Sequence, residues 1–248
     1  DGPLAQAQLQ GDMVFDARWN LRLPRLGTEG AQGNISLERR SGDLALRTDP
    51  TTPGGGPLAA GVTQAVLGLQ IEGGDIKASM LWDSQRAGRV SAQARSRWAG
   101  GMAQPEWPAD APLSGSLKAA LPQVGLWSVL APPGWRMNGS LVADAELAGT
   151  RDAPQWSGQL RGDGLALRSL VEGIEFAGGE LRASLRGETL LIDRFSIDGP
   201  GGAAAGGQLR ASGSASWAAV TGANGSRVRQ LLVGLRDIGR DREQRQGD

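Results

Sequence analysis

The sequence of 248 residues contains no cysteine, no histidine and no tyrosine. Without cysteine the chain has neither a disulfide nor a thiolate ligand for a metal ion. Without histidine it lacks the commonest general base near neutral pH, so Ser-His-Asp, Cys-His, zincin and haem sites are excluded. We therefore expect no cofactor, no metal site and no catalytic residue, which indicates a non-enzymatic protein.

Long apolar runs and an excess of charge of one sign are also lacking. No uninterrupted apolar run approaches the roughly 18 to 20 residues of a membrane-spanning helix. The 26 basic residues are balanced by 26 acidic ones, which argues against a nucleic-acid-binding surface. The chain begins at Asp1 without a signal-like segment and ends abruptly at Asp248. We expect it to be an excerpt of a longer polypeptide whose membrane anchor lies outside it.

Glycine, in contrast, is abundant, with 39 residues and no collagen-like period. Apolar residues occupy every odd position of Met13–Leu23, and a period of two is typical of a strand with one apolar face. Similar segments lie between turn glycines, and Leu67–Glu72 and Ile76–Met80 flank Gly73 and Gly74 as a predicted hairpin. The pattern predicts an all-β protein, a long antiparallel meander.

Three local predictions complete this reading. The segments Asn34–Glu38 and Leu44–Arg47, separated by a turn-like 40–43, predict a second hairpin. Residues 122–131 are too uniformly apolar for a half-exposed strand, and a proline at each boundary predicts a short helix that covers an end of the sheet. The Arg-rich tail after Arg227 predicts an exposed helix or a frayed end.

The second half of the chain contains an ordered series of motifs. A Gly-x-Leu strand, Leu113–Ala119, precedes the short apolar helix, and Trp135–Leu141 follows it. The pattern L-x-G-T-x-x-x-P-x-x-x-G-x-L then covers Leu147–Leu160, and a continuation similar to L-x-L-x-x-F begins Leu190–Gly199. This order of motifs resembles that of the TamB family of AsmA-like envelope proteins. The resemblance covers about 113–217, and it divides the chain into an N-terminal β segment (1–104), a family-like segment (105–220) and a polar tail (221–248).

The resemblance implies a fold and a role that composition does not. Family members are anchored in the inner membrane and reach across the periplasm to an outer-membrane partner of the Omp85 class, similar to TamA. They are linked to outer-membrane protein assembly and to phospholipid movement. Their sheet curls into an open groove with an apolar inside, called a β-taco. The resemblance thus implies a phospholipid or another acyl-chain ligand.

On this hypothesis the groove is lined by the apolar residues of successive strands. The predicted lining residues are Met13, Phe15, Trp19, Leu21, Leu67, Leu69, Ile71, Leu117, Leu141, Leu147, Leu160, Leu165, Leu167, Ile174, Phe176, Leu181, Leu185, Leu190, Ile192, Phe195, Ile197 and Leu209. Many alanines share the same stripe, and small side chains there leave width for an acyl chain.

Two other interpretations stay open at the level of sequence. The apolar stripe also fits the filled interior of a closed β protein, as in a structural adhesin or an autotransporter-like stalk. A carboxylate glycosidase is a more distant alternative, because it needs two acidic side chains roughly 5 to 9 Å apart in a cleft, and no such pair stands out.

Overall fold

One antiparallel sheet of twelve strands dominates a computed structural model of the chain, which describes residues 9–22, 31–46, 58–99, 106–130, 135–169, 172–221 and 227–241. The strands are β1 (Leu9–Gly11), β2 (Val14–Arg22), β3 (Gln32–Ser41), β4 (Leu44–Leu46), β5 (Leu58–Ala59), β6 (Val62–Glu72), β7 (Asp75–Ser84), β8 (Gly88–Arg97), β9 (Ser114–Leu121), β10 (Trp135–Gly149), β11 (Pro154–Ser169), β12 (Ile174–Gly187), β13 (Thr189–Asp198), β14 (Gln208–Thr221) and β15 (Arg227–Asp241). The prediction of an all-β antiparallel meander is confirmed.

The large sheet follows the chain almost strand by strand. Its order is β15-β14-β13-β12-β11-β10-β9-β8-β7-β6-β3-β2, and β1, β4 and β5 form a separate three-stranded sheet. The described strands β2 and β15 are its two edges and do not pair with each other, so the sheet is open. The predicted hairpin around Gly73 and Gly74 is confirmed as β6 and β7. Strands β8 and β9 also pair, so the sheet continues across residue 104 without interruption.

The predicted hairpin between residues 34–38 and 44–47 is wrong. Strand β3 pairs with β6, whereas β4 pairs with β1 and β5. The Asp43 carboxylate explains this, because it accepts hydrogen bonds from the amides of Leu44 at 2.7 Å and of Gly61 and Val62 at 2.9 Å. These bonds hold the start of β4 beside the start of β6, so β4 leaves the large sheet.

The helix predicted near 122–131 is present as a 3-10 helix over Val124–Leu130. The other described helix is α1, the four residues Ala203–Gly206 between β13 and β14. Neither described helix has the length and apolar character that a membrane span requires. The 3-10 helix packs against the sheet through Leu126 and Trp127, which agrees with the predicted covering role.

The helix or frayed end predicted after Arg227 is wrong. Residues Arg227–Asp241 form β15, which pairs with β14 over its whole length. The tail contains the alternating apolar residues Leu231, Val233 and Leu235, and β14 offers a free edge whose backbone groups need partners. That edge outweighs the polar composition that favoured an exposed helix.

Candidate functional site

Apolar residues form an unbroken row across all twelve strands of the large sheet. We call this the central row; it comprises Ala17, Leu37, Leu67, Met80, Ala92, Leu117, Ala145, Gly158, Leu185, Leu190, Ala215 and Val233, each directly opposite the next. Residues directly opposite in an antiparallel pair point to the same side. The central row therefore defines one apolar face, about 50 Å long at roughly 4.8 Å per strand.

The opposite face, which we call the polar face, is rich in charged and hydroxyl side chains. Its ion pairs include Lys118 with Asp144 at 3.6 Å and Arg182 with Asp163 at 2.8 Å. Both pairs are largely exposed, and exposed pairs contribute little to stability. These charged side chains keep the polar face in contact with water. The apolar face gains no comparable interaction with water.

The apolar face contains a cavity of about 560 Å³ near its middle. Its lining residues on this face are Ile35, Leu37, Leu67, Leu69, Ala78, Met80, Ala92, Ala94, Gly115, Leu117, Leu147 and Trp156. They belong to seven neighbouring strands, β3 to β11 in the order of the sheet, so the cavity extends over roughly 30 Å along the central row. We call it the groove.

The groove is lined by side chains that a closed core would bury. Leu67 is 48% exposed, Met80 37% and Ile35 36%. The buried apolar residues in the described part of the chain are few and mostly small, namely Ala60, Val62, Ala65, Ala87, Ala111, Ala145, Ala183 and Ile197. The sheet thus presents its apolar face as an open surface over the groove, not as one half of a sandwich.

One side of the apolar face is closed by a cluster of buried residues, which we call the cap. It consists of Ala60, Val62, Ala65 and Ala87, with Met13, Leu44, Trp82, Leu126 and Trp127 packed against them. The Trp82 and Trp127 rings meet edge to face with centroids 6.3 Å apart. The Trp127 indole N–H donates to the Ala87 carbonyl at 3.1 Å, which fixes the 3-10 helix over the ends of β7 and β8.

The predicted lining residues fall into three groups. Leu67, Leu69, Leu117 and Leu147 border the groove. Met13 lies before β2 and packs on the cap. The remaining ones share the apolar face by register but do not border this cavity; they are Phe15, Trp19, Leu21, Ile71, Leu141, Leu160, Leu165, Leu167, Ile174, Phe176, Leu181, Leu185, Leu190, Ile192, Phe195, Ile197 and Leu209.

Several groove residues were absent from the predicted lining. Ile35, Leu37 and Met80 alternate with polar residues in segments that the sequence predicts as strands. That alternation was sufficient to include them in the predicted lining. Trp156 lies in β11, opposite Leu147. Its position follows from pairing with β10, which local sequence does not reveal.

No cluster of acidic side chains with the geometry of a metal site occurs among the described residues. Among the carboxylates of the described residues, the pKa of Asp43, which lies outside the groove, is clearly altered. Burial of Asp43 opposes its ionisation, but the amides of Val62, Gly61 and Leu44 and the charge of Arg39 outweigh burial, so its pKa lies below the usual 3.8. This arrangement is structural, since all its partners hold β4 in place.

A comparison of the chain with known protein families, with curated proteins and with solved structures finds no match in any of the three. The groove, the cap and the two-faced sheet are therefore the features from which a function is inferred.

Proposed function

We propose that this chain is part of a non-enzymatic scaffold of the bacterial envelope that carries lipid acyl chains in its groove. The observation that carries the proposal is the central row, an apolar stripe that crosses every strand of an open sheet and faces an unfilled cavity of about 560 Å³. An acyl chain gains about 0.8 kcal/mol for each CH₂ removed from water. A continuous apolar stripe provides this gain at every position along its length.

The composition of the groove supports transfer over catalysis. The lining residues that the structure describes include no aspartate, glutamate, lysine or arginine. A groove of this kind holds hydrocarbon without a fixed polar anchor, so a chain slides between equivalent positions. Its roughly 30 Å length equals the hydrocarbon thickness of a bilayer, which is room for the tails of a phospholipid laid along the row.

The wider setting of the proposal is carried by the motif order in 113–217. The resemblance to the TamB family extends the proposal to a periplasmic location, to anchoring in the inner membrane outside this segment, and to an Omp85-class partner in the outer membrane. Assistance to outer-membrane protein assembly belongs to the same proposal. The alternative, an adhesin or autotransporter-like stalk, requires a closed core, and the exposure of Leu67 and Met80 favours the groove.

Photo-crosslinking from paired positions tests the proposal. A photoreactive residue is placed at Leu117 or Met80 on the apolar face, and at the adjacent Lys118 or Leu81 on the polar face, and the protein is purified from a bacterial envelope. We expect lipid adducts, identified by mass spectrometry, from Leu117 and Met80 and none from their neighbours. Equal labelling at both members of each pair, or no lipid at all, contradicts the proposal.

A further inference from the structure

A second depression lies on the polar face, directly behind the groove. It has a volume of about 310 Å³, and its outward-facing lining comes from β3, β6, β7 and β8. A twisted sheet is saddle-shaped, so it is concave along a different diagonal on each face. Pockets of this size take small ligands. The depression differs from the groove in chemistry, because amides, hydroxyls and two cations border it.

The floor of the depression is open because residue 68 has no side chain. Gly68 lies inside β6, between Ser36 of β3 and Ser79 of β7. Its φ is not in the positive region, so the backbone does not require glycine. A Cβ placed there meets only the Ser79 hydroxyl oxygen, at 2.7 Å. Glycine weakens the interior of a strand. The space left by the missing side chain explains why glycine stands at position 68.

The rim of the depression carries two cations without an acidic partner. Lys77 and Arg95 stand directly opposite each other on β7 and β8, and like charges in that position repel. Within the described residues neither has an ion pair, whereas Arg89 and Arg97 on the same strand pair with Asp83 at 3.2 Å and Asp75 at 2.9 Å. The described residues that border the depression include no carboxylate, so an anion bound between Lys77 and Arg95 relieves their repulsion.

Amide side chains complete the rim. Asn34, Gln70 and Gln93 border the depression, and within the described chain their side chains make no hydrogen bond to protein groups. An amide offers both a donor and an acceptor, which matches the hydroxyl groups of a sugar. Among the residues that the structure describes, no aromatic ring borders the depression, so they offer no stacking surface of the kind that a nucleotide base uses.

We infer that this depression binds a phosphorylated sugar. The phosphate lies between Lys77 and Arg95, where the planar guanidinium forms paired hydrogen bonds to its oxygens. The sugar lies over Gly68 and reaches the amides of Asn34 and Gln70. The inference does not depend on the proposed function, because the depression and the groove lie on opposite faces of the same strands.

Calorimetric titration of the purified chain with glucose 1-phosphate tests this inference. We expect saturable binding, and about tenfold or greater weakening in Arg95→Gln, since a charge-assisted hydrogen bond is lost. Gly68→Val fills the floor and weakens binding similarly, while Arg89→Gln, on the same strand and face, leaves it unchanged. Glucose alone binds at least about tenfold more weakly. No binding of glucose 1-phosphate, or equal loss in Arg89→Gln, overturns the inference.

Two controls separate this site from the groove and identify the source of its ligand. Gly68→Val directs its side chain to the polar face, so lipid labelling from Leu117 stays unchanged even if sugar binding is lost. A loss of both indicates a folding defect, which circular dichroism detects. In that case the binding of glucose 1-phosphate by Arg95→Gln decides. Vesicles of phosphatidylcholine containing phosphatidylinositol, compared with phosphatidylcholine alone, test a lipid headgroup as the source. Binding to these vesicles through Arg95 supports a membrane source, and binding to free glucose 1-phosphate alone supports a soluble one.

Discussion

At the scale of single residues, side-chain size along the central row determines what the apolar face can hold. Leu67, Met80 and Leu117 project from the sheet, but Ala92 and Gly158 leave gaps between such side chains. A closed core fills gaps of this kind with side chains from a facing layer. On an open sheet the same gaps are space for a ligand, so the mixture of large and small residues gives the groove its depth.

One residue-scale prediction concerns Asp43. Its pKa in the folded chain is lower than in the unfolded chain, so its stabilising contribution is present above the unfolded pKa and is lost as pH falls through the folded pKa. Asp43→Asn removes charged acceptors of three amide hydrogen bonds, and we expect a loss of about 1 to 2 kcal/mol in unfolding free energy near pH 7. Urea unfolding at several pH values measures it.

The control for Asp43 is Asp16→Asn. Asp16 is exposed, and its ion pair with Arg40 spans 4.0 Å, so this substitution has little effect at any pH. The difference between Asp43→Asn and the unaltered chain is expected to shrink as the pH falls below about 4, the usual pKa of an aspartate, and to disappear only below the lowered pKa of Asp43 in the folded chain. A difference that stays constant down to pH 2 contradicts the role assigned to this carboxylate.

At the scale of elements, β-bulges keep the apolar face continuous. Leu190 and Ile192 occupy even positions of β13, whereas Phe195 and Ile197 occupy odd ones, and a register shift between Ile192 and Phe195 returns both pairs to the same face. A bulge inserts one residue and reverses the alternation beyond it. The break in parity within one strand was therefore a sequence signal for the bulge.

Close pairing of β10 and β11 gives an element-scale prediction at Gly158. Its φ is +151°, and a Cβ there approaches the Asp144 carbonyl oxygen and lies 2.7 Å from the Ala145 Cα. Gly158→Val is expected to separate the two strands and to lower the unfolding free energy by about 3 kcal/mol or more. Ser157→Val, one residue away on the polar face, changes it by less than about 0.5 kcal/mol. Denaturant unfolding compares the two, and equal effects contradict this role of Gly158.

At the scale of the whole molecule, the open sheet leaves few buried apolar side chains in the described part of the chain. Hydrophobic burial is the main favourable term in folding, and under the proposed function a ligand that covers Leu67, Met80 and their neighbours adds to it. Ligand binding and stability are therefore linked, because a molecule that binds the folded state alone raises its stability.

This linkage gives a prediction for lipid-depleted protein. A lysophospholipid at a hundred times its dissociation constant, below its micelle concentration, adds about 2.7 kcal/mol, which raises the melting temperature of a chain of this length by roughly 5 to 10 °C. Leu117→Arg places a charge in the groove and is expected to abolish the shift. Ser91→Arg, on the polar face of the adjacent strand β8, retains it. Equal shifts in both variants contradict binding in the groove.

The sequence by itself determined the class of the fold and the two-faced character of its strands. Alternation between turn glycines identified β6, β7 and β8, and every predicted lining residue except Met13 lies on the apolar face. A period of two is a local property, because neighbouring side chains of any extended chain point to opposite sides. The same locality made 124–130 recognisable as a helix.

Only the tertiary structure decided which strands pair and whether the apolar face is covered. Strand β3 pairs with β6 and not with β4, because Asp43 reaches Gly61 and Val62, eighteen residues or more away. Strand β15 forms because β14 offers a free edge. The groove and the depression behind it each span several neighbouring strands, and the twist of a sheet accumulates from strand to strand. Curvature of that kind is a sum over the whole sheet, so no single segment of sequence encodes it.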